Sequence, residues 1–212
     1  RLADELGIGN AVDLAGFAPM NDVERRPFGI MATASADVPL KGLSTLLQAV
    51  SQLKGEMPRL ELTVLGKPKS GGPTARMISE LELQDHVRFV NNITTSKLRY
   101  LYARASVAVI PSLYEGFGLP AAEAMACGVP VISTSGGALP EVVGQAGILV
   151  PPGDAREMAT ALKTLLESPD LRHSLGRQGR QRMKANFTWE KAAQKTVQVY
   201  QRQLAEQRTG DR

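Results

Sequence analysis

Cysteine is nearly absent. Cys127 is the one thiol in 212 residues, which excludes an internal disulfide and fits a reducing compartment. Histidine is almost as scarce, with only His86 and His173. Each reads as a surface residue, and no Asp-x-Asp pair or His/Cys cluster has metal-ligand spacing. Neither a metal nor a cofactor is therefore implied. No apolar run approaches the roughly 20 residues that span a bilayer, and no basic-then-apolar leader opens the chain. Charge of one sign is lacking too. Lys and Arg number 25 against 21 Asp and Glu, a net charge of +4, which permits an anionic ligand or membrane surface without demanding either. The expectation is a cytoplasmic protein, with peripheral contact at the inner face of a membrane left open.

What is present is ordinary for a globular chain: 43% apolar and 22% charged residues, enough for one large domain or two small ones. Residues 1–26 have no core periodicity. They begin as a short helix and read as the remnant of an upstream domain plus a linker, so the chain is expected to start inside a longer protein. From Phe28 strands and helices alternate. Strands are expected at 29–34, 60–66, 87–90, 107–110, 129–133 and 148–150. Helices are expected at 42–54, where Leu43, Leu46, Leu47, Val50 and Leu53 form a stripe, at 74–83 and 96–104, and from Pro120. Such alternation predicts βαβ units and a parallel sheet covered on both faces, with ligands outside the carboxyl ends of the strands. After residue 151 the chain becomes helical. Asp154 with Glu157, Ser168 with Pro169, and Thr188 are the cap signals. The boundaries follow: 1–26 remnant, 27–187 domain, 188–212 C-terminal helix.

Residues 111–123 organise the rest. An apolar strand, the turn glycines Gly116 and Gly118, and Pro120 at a helix start make an anion site, where free N–H groups converge with the positive end of the helix dipole. Glu115 and Glu123 bracket that turn. Phosphate-binding backbone with an acid on each side suggests a ligand carrying both phosphate and sugar hydroxyls.

The run Tyr114-Glu-Gly-Phe-Gly-Leu-Pro-Ala-Ala-Glu-Ala-Met-Ala-Cys-Gly-Val-Pro-Val-Ile132 resembles the signature of family-4 retaining glycosyltransferases of the GT-B fold. Its hallmark is two Glu separated by seven residues, here Glu115 and Glu123. Pro111-Ser112, Gly136-Gly137, Pro140-Glu141-Val142-Val143 and Gly147–Asp154 fit the same pattern, and the resemblance covers roughly residues 28–205. Asn10-Ala-Val-Asp13, with Phe17 and Pro19, is similar to the family's interdomain segment, although Ala11 stands where Gly is usual. The resemblance implies an α/β fold, a Rossmann-like parallel sheet sandwiched by helices that forms the C-terminal, donor-binding half of a GT-B enzyme, followed by C-terminal helices.

It also implies roles. Glu115 would orient the transferred sugar and Glu123 would accept from the ribose diol, a suitable task for two carboxylate oxygens. Gly116, Phe117, Gly118 and Leu119 would offer N–H groups to diphosphate and sugar, and Lys41 would neutralise the diphosphate. The family often has Gly-Arg about five residues before that Lys. This chain has Thr33-Ala-Ser-Ala-Asp-Val-Pro-Leu40 and no Arg, so Ser35 or backbone N–H groups are the substitutes. Asn91, with Asn92, stands near the expected base pocket. The partners implied are a nucleotide-sugar donor and, through an upstream domain, an acceptor glycan, lipid or small molecule.

Each residue also has a structural reading. Glu115 would be a solvated loop acid, Glu123 a dipole-stabilising acid, Lys41 a surface cation and Phe117 a core aromatic. Cys127 reads as core packing beside Ala124 and Ala126. The basic run of Arg172, Arg177, Arg180, Arg182 and Lys184 has no interleaved aromatics and reads as a solvated face rather than a nucleic-acid surface. Two other function classes fit the same crevice: a GT-B sugar-nucleotide epimerase, and a non-catalytic nucleotide-sugar-binding module. The intact Lys41, Glu115 and Glu123 favour a transferase whose isolated donor half binds donor with little or no turnover.

Overall fold

Apolar strands without polar alternation need cover on both faces, and the sheet receives it. The computed structural model describes residues 10–210, with side chains as far as residue 203; the helix expected at the very start lies outside the described residues. Six strands, β1 (Gly29–Ala32), β2 (Glu61–Leu65), β3 (Val87–Val90), β4 (Val107–Ile110), β5 (Val131–Thr134) and β6 (Ile148–Val150), pair in the order β3-β2-β1-β4-β5-β6. Every pairing is parallel. The chain starts at the centre, works outward to β3, then returns to lay β4 beside β1, with Ile30 opposite Val107 and Ala32 opposite Val109. The connections leaving β1 and β4 diverge to opposite sides, and this opens a crevice at their carboxyl ends.

Successive strand residues point to opposite faces, and each face has its own core. Ile30, Ala32, Val107, Val109 and Ile132 belong to one, with the buried stripe Leu43, Leu46, Leu47, Val50 and Leu53 of α1 (Leu43–Leu53). Met158, Leu162 and Leu165 of α6 (Ala155–Glu167) complete that face beside α2 (Pro73–Glu80). Met31, Ala108, Ile110 and Val131 belong to the other face, covered by α3 (Thr95–Arg104), α4 (Leu119–Ala126), α5 (Leu139–Val143) and α7 (Pro169–Asn186). Ala121, Ala122, Ala124 and Ala126 of α4 and the adjoining Cys127 are buried, so α4 lies close on the sheet and Cys127 is packing. The last helix is α8 (Trp189–Gly210). The expected caps form. Asp154 accepts from the Arg156 and Glu157 N–H groups at 3.0 and 2.9 Å, Ser168 from Leu171, and Thr188 from Lys191 at 3.2 Å.

Several boundaries shift for local reasons. β1 stops at Ala32 rather than residue 34, and β5 begins at Val131 rather than 129, since Pro130 has no N–H for the ladder. The helix expected at 42–54 opens at Leu43. Pro39–Lys41 is a separate 3-10 turn, and Gly42, at φ +63°, breaks it from α1. The five residues of α5 are too few to show a period, and it was not expected. His86 is half-buried rather than a surface residue, its Nδ1 2.8 Å from the Leu60 carbonyl oxygen. The segment before β1 also does more than link. Val12 and Phe17 are buried, Phe17 meets the Tyr102 ring edge-on at 6.4 Å, and the Val12 N–H donates to the Phe187 carbonyl at 2.9 Å. Two isolated anchors leave no periodic signal.

Gly42 joins the two halves of the crevice. A Cβ there would stand 1.9 Å from the Pro111 carbonyl oxygen, and the positive φ penalises any L side chain by about 1–2 kcal/mol. With overpacking of about 1–3 kcal/mol added, Gly42→Ala is expected to lower stability by roughly 2–4 kcal/mol in urea unfolding, whereas Gly55→Ala, with open space around its Cβ position, should change it little.

Candidate functional site

At the β1–β4 switch point the two following segments touch. The Leu113 N–H donates to the Leu40 carbonyl at 2.8 Å, beside the Gly42–Pro111 contact. The 3-10 turn thereby carries Lys41 to the segment after β4, and Lys41 Nζ lies 2.7 Å from Glu115 Oε1. Ser112 Oγ donates to the same oxygen at 2.8 Å. The Ser112 carbonyl in turn accepts from Thr134 Oγ1 at the end of β5. Glu115 Oε2 has no hydrogen-bond partner among the described residues. The Lys41 side chain is 34% exposed and that of Glu115 13%. The ammonium is the more exposed partner, so Lys41 stays within reach of a competing anion from solvent.

The backbone of Glu115 is fixed from a third side. Its carbonyl accepts from the Ala138 N–H at 2.9 Å, and Gly137 bridges to it in parallel. A Cβ on Gly137 would meet the Glu115 carbonyl oxygen at 2.2 Å, so this glycine turn sets how close the β5 and β4 segments come. After Glu115 the chain is unpaired. The N–H groups of Gly116, Phe117, Gly118 and Leu119 have no acceptor among the described residues. Gly118 adopts φ +94° and caps α4, with Pro120 next to the helix start. The expected geometry is therefore present: consecutive free donors at a helix N-terminus. A Cβ on Gly116 would meet nothing within 4 Å, so the turn is open to an approaching ligand there.

Glu123 lies one turn into α4, partly buried, and Tyr102 donates to its Oε2 at 3.4 Å and to the Pro120 carbonyl at 3.3 Å. Burial pushes the Glu123 carboxyl up to about 7, and the Tyr102 bond only partly offsets this. Tyr102 is wholly buried. Its phenol is held well above its usual range by burial and then by the nearby Glu123 charge. The Phe117 ring turns inward and meets Phe187 at 5.9 Å, which leaves its backbone, not its side chain, to face the crevice. Ser35 is exposed just after β1, beside Gly66 at the end of β2. Asn91 is exposed after β3, two strands from β1 and hence about 10 Å from the switch point. The structure thus joins Lys41, Glu115 and the glycine turn, places Glu123 on the adjoining helix, and leaves Ser35 and Asn91 on the rim. Ser112, Tyr102 and Thr134 hold the two acids, and single-sequence spacing gave them no such role. Their positions next to strand ends and on a helical apolar stripe look structural.

The raised Glu123 pKa has a stability consequence. The folded value of about 7 exceeds the ordinary 4.5, so this residue favours folding below about 4.5 and opposes it increasingly as pH rises through 7. Glu123→Gln keeps an acceptor for Tyr102 and should match the parent at pH 4.5. At pH 8 it should be more stable by on the order of 1–2 kcal/mol once solvent screening is included, read as a melting-temperature difference that widens with pH.

Residues 28–182 match the family described as glycosyl transferases group 1. The chain is 47% identical over 179 residues to the MMP alpha-(1->4)-mannosyltransferase of Mycolicibacterium hassiacum, covering 83% of this chain and 43% of that protein. Among solved structures it superposes on sucrose-phosphate synthase from Thermosynechococcus elongatus with TM-score 0.78 and 34% identity, covering 94% of this chain and 52% of the other. The Anabaena protein Alr3699/HepE, solved with UDP-glucose, shares the fold at TM-score 0.74 and 20% identity, over 92% and 56% of the two chains. The chain thus spans about half the length of these three proteins. With its six-stranded parallel sheet of the GT-B kind and the family match across most of its length, it belongs to the group 1 glycosyl transferases.

Proposed function

We propose that this chain is the donor-binding half of a retaining glycosyltransferase that moves a sugar from a nucleoside-diphosphate sugar to an acceptor glycan, lipid or small molecule. The observation that carries this reading is the convergence, at one switch point, of Lys41, a glycine turn with four free N–H groups and a held carboxylate, Glu115. The turn and Lys41 meet the diphosphate and stabilise negative charge as the nucleoside diphosphate departs. The open face over Gly116 admits the phosphate. Glu115, fixed through Oε1, offers Oε2 to a sugar hydroxyl. Glu123 accepts from the ribose diol, and the half-buried setting strengthens such bonds. Orientation and leaving-group stabilisation then supply much of the rate.

Diphosphate also competes with Glu115 for Lys41, and Ser112 then holds Oε1 while Oε2 faces the sugar. UDP-glucose bound on the same fold in the Anabaena protein supports a nucleotide-sugar ligand for this crevice. No described helix is long and apolar enough to cross a membrane. The acceptor site and the remaining catalytic groups are assigned to the other half of a GT-B enzyme.

Calorimetric titration of UDP, GDP and ADP tests the site: at least one should bind, and failure of all three would sink the donor reading. Lys41→Ala should weaken the bound nucleotide about tenfold or more, the loss of a charge-assisted bond. Glu123→Ala should abolish the preference for the ribonucleotide over its 2′-deoxy form; an unchanged preference assigns the diol elsewhere.

A further inference from the structure

The basic run on α7, read from sequence as a solvated face, divides in the structure. Arg182 turns away to donate to the Glu141 and Val142 carbonyls at 2.6 and 2.8 Å, and Lys184 is exposed. His173, Arg177 and Arg180, at i, i+4 and i+7 on one helical face, instead line a cavity of about 490 Å³. Pro27, Ser106 and Pro130 also line it, each just before β1, β4 or β5. The cavity therefore opens at the amino ends of the central strands, the end of the sheet opposite the nucleotide crevice. Gly176 permits the close approach of α7: a Cβ there would come within 2.5 Å of the Gly128 carbonyl oxygen.

Three arginines in the wall have helix-end duties. Arg25 donates to the Ala105 and Gly128 carbonyls at 2.7 and 2.8 Å, just beyond the ends of α3 and α4. Arg180 donates to the last residue of α4, Ala126, at 2.6 Å. Arg172 donates to Leu165 and Leu166, in the last turn of α6, at 2.6 and 2.7 Å. These bonds satisfy orphan carbonyls and lock the guanidiniums in place, yet each retains unused N–H groups. Helix-end capping does not account for Arg177 or His173, which make no hydrogen bond or ion pair to any described residue.

Charge arithmetic separates a capping role from a site. Three helix C-termini offset roughly half a charge each, so four guanidiniums leave about +2.5 before His173 is counted. No described carboxylate pairs with any of the four. Burial lowers the pKa of Arg25, Arg172 and Arg180, and the Arg172 charge adds to the effect on Arg25. Cys127, whose thiol burial pushes to about 12, is neutral and brings no counter-charge.

We infer that this cavity is a second anion site, for a phosphate monoester, held by Arg177 and His173 together with the free N–H groups of Arg25, Arg172 and Arg180. The residual charge matches the about −1.5 to −2 of such a group at pH 7 better than a single carboxylate. Two sources share this chemistry, a free phosphorylated metabolite and the headgroup of phosphatidic acid. Glycerol 3-phosphate, titrated against glycerol, probes the first; phosphatidylcholine vesicles with and without phosphatidic acid probe the second.

Glycerol 3-phosphate binding without vesicle binding identifies a metabolite site. Vesicle binding displaced by glycerol 3-phosphate identifies a headgroup site. In either case Arg177→Gln with His173→Asn should weaken the interaction about tenfold or more, and, since both side chains are exposed, should leave the melting temperature unchanged. Lys41→Ala should leave it intact, which separates this site from the nucleotide crevice. Binding to neither probe, binding unaffected by the double substitution, or binding lost in Lys41→Ala would overturn the assignment.

Discussion

The architecture of the crevice depends on one backbone contact, Gly42 against the Pro111 carbonyl. Parallel strands β1 and β4 are neighbours, but their following segments belong to opposite directions of travel. Nothing in the sheet itself obliges those segments to meet. The missing side chain at Gly42 lets them come within backbone contact, and the Leu113–Leu40 hydrogen bond fastens them. Everything chemical follows from that closeness. Lys41 is the residue immediately before the glycine, Ser112 and Glu115 follow the proline, and their side chains meet because the main chains have already met.

The two ends of the sheet are electrostatic opposites for a simple reason. In a parallel α/β fold, helices start at the carboxyl ends of strands and finish at the amino ends. The crevice end presents unpaired N–H groups, and here protein cations are few, with Lys41 the one at the centre. The other end presents unpaired carbonyls, and arginines from α7 and from the segment before β1 gather there. The arginine-rich end carries more cations than its carbonyls use, which makes it as notable as the end where Glu115 and Glu123 stand.

The legible parts of the sequence were those with a period or a punctuating residue. All six strands, the α1 stripe and the caps at Asp154, Ser168 and Thr188 could be read because alternating strand and helix blocks, helical spacing and cap chemistry are local. The glycine turn with Glu115 and Glu123 was legible because its residues are consecutive, and Lys41 entered through resemblance. The partners of those residues were not. Tyr102 reads as one more apolar position in α3, yet its hydroxyl is the group that meets Glu123. Ser112 and Thr134 look like strand-end polar residues, and only the parallel register brings them together. The turn Pro39–Lys41 and helix α5 escaped notice because three or five residues cannot display a repeat. The division of the α7 arginines between solvent, helix ends and cavity depends on which neighbour each face of the helix touches, and spacing within one helix does not encode that.

The ring of Phe117 gives the glycine turn a mechanical connection. It rests on Phe187, one residue beyond α7 and two before α8 begins. The 22 residues of α8 make a rod about 33 Å long at 1.5 Å per residue. A rocking of about 5° at its root would carry the far tip about 3 Å on that rise. Whatever displaces the Phe117 ring therefore also disturbs the packing of Phe187 at the α7–α8 junction.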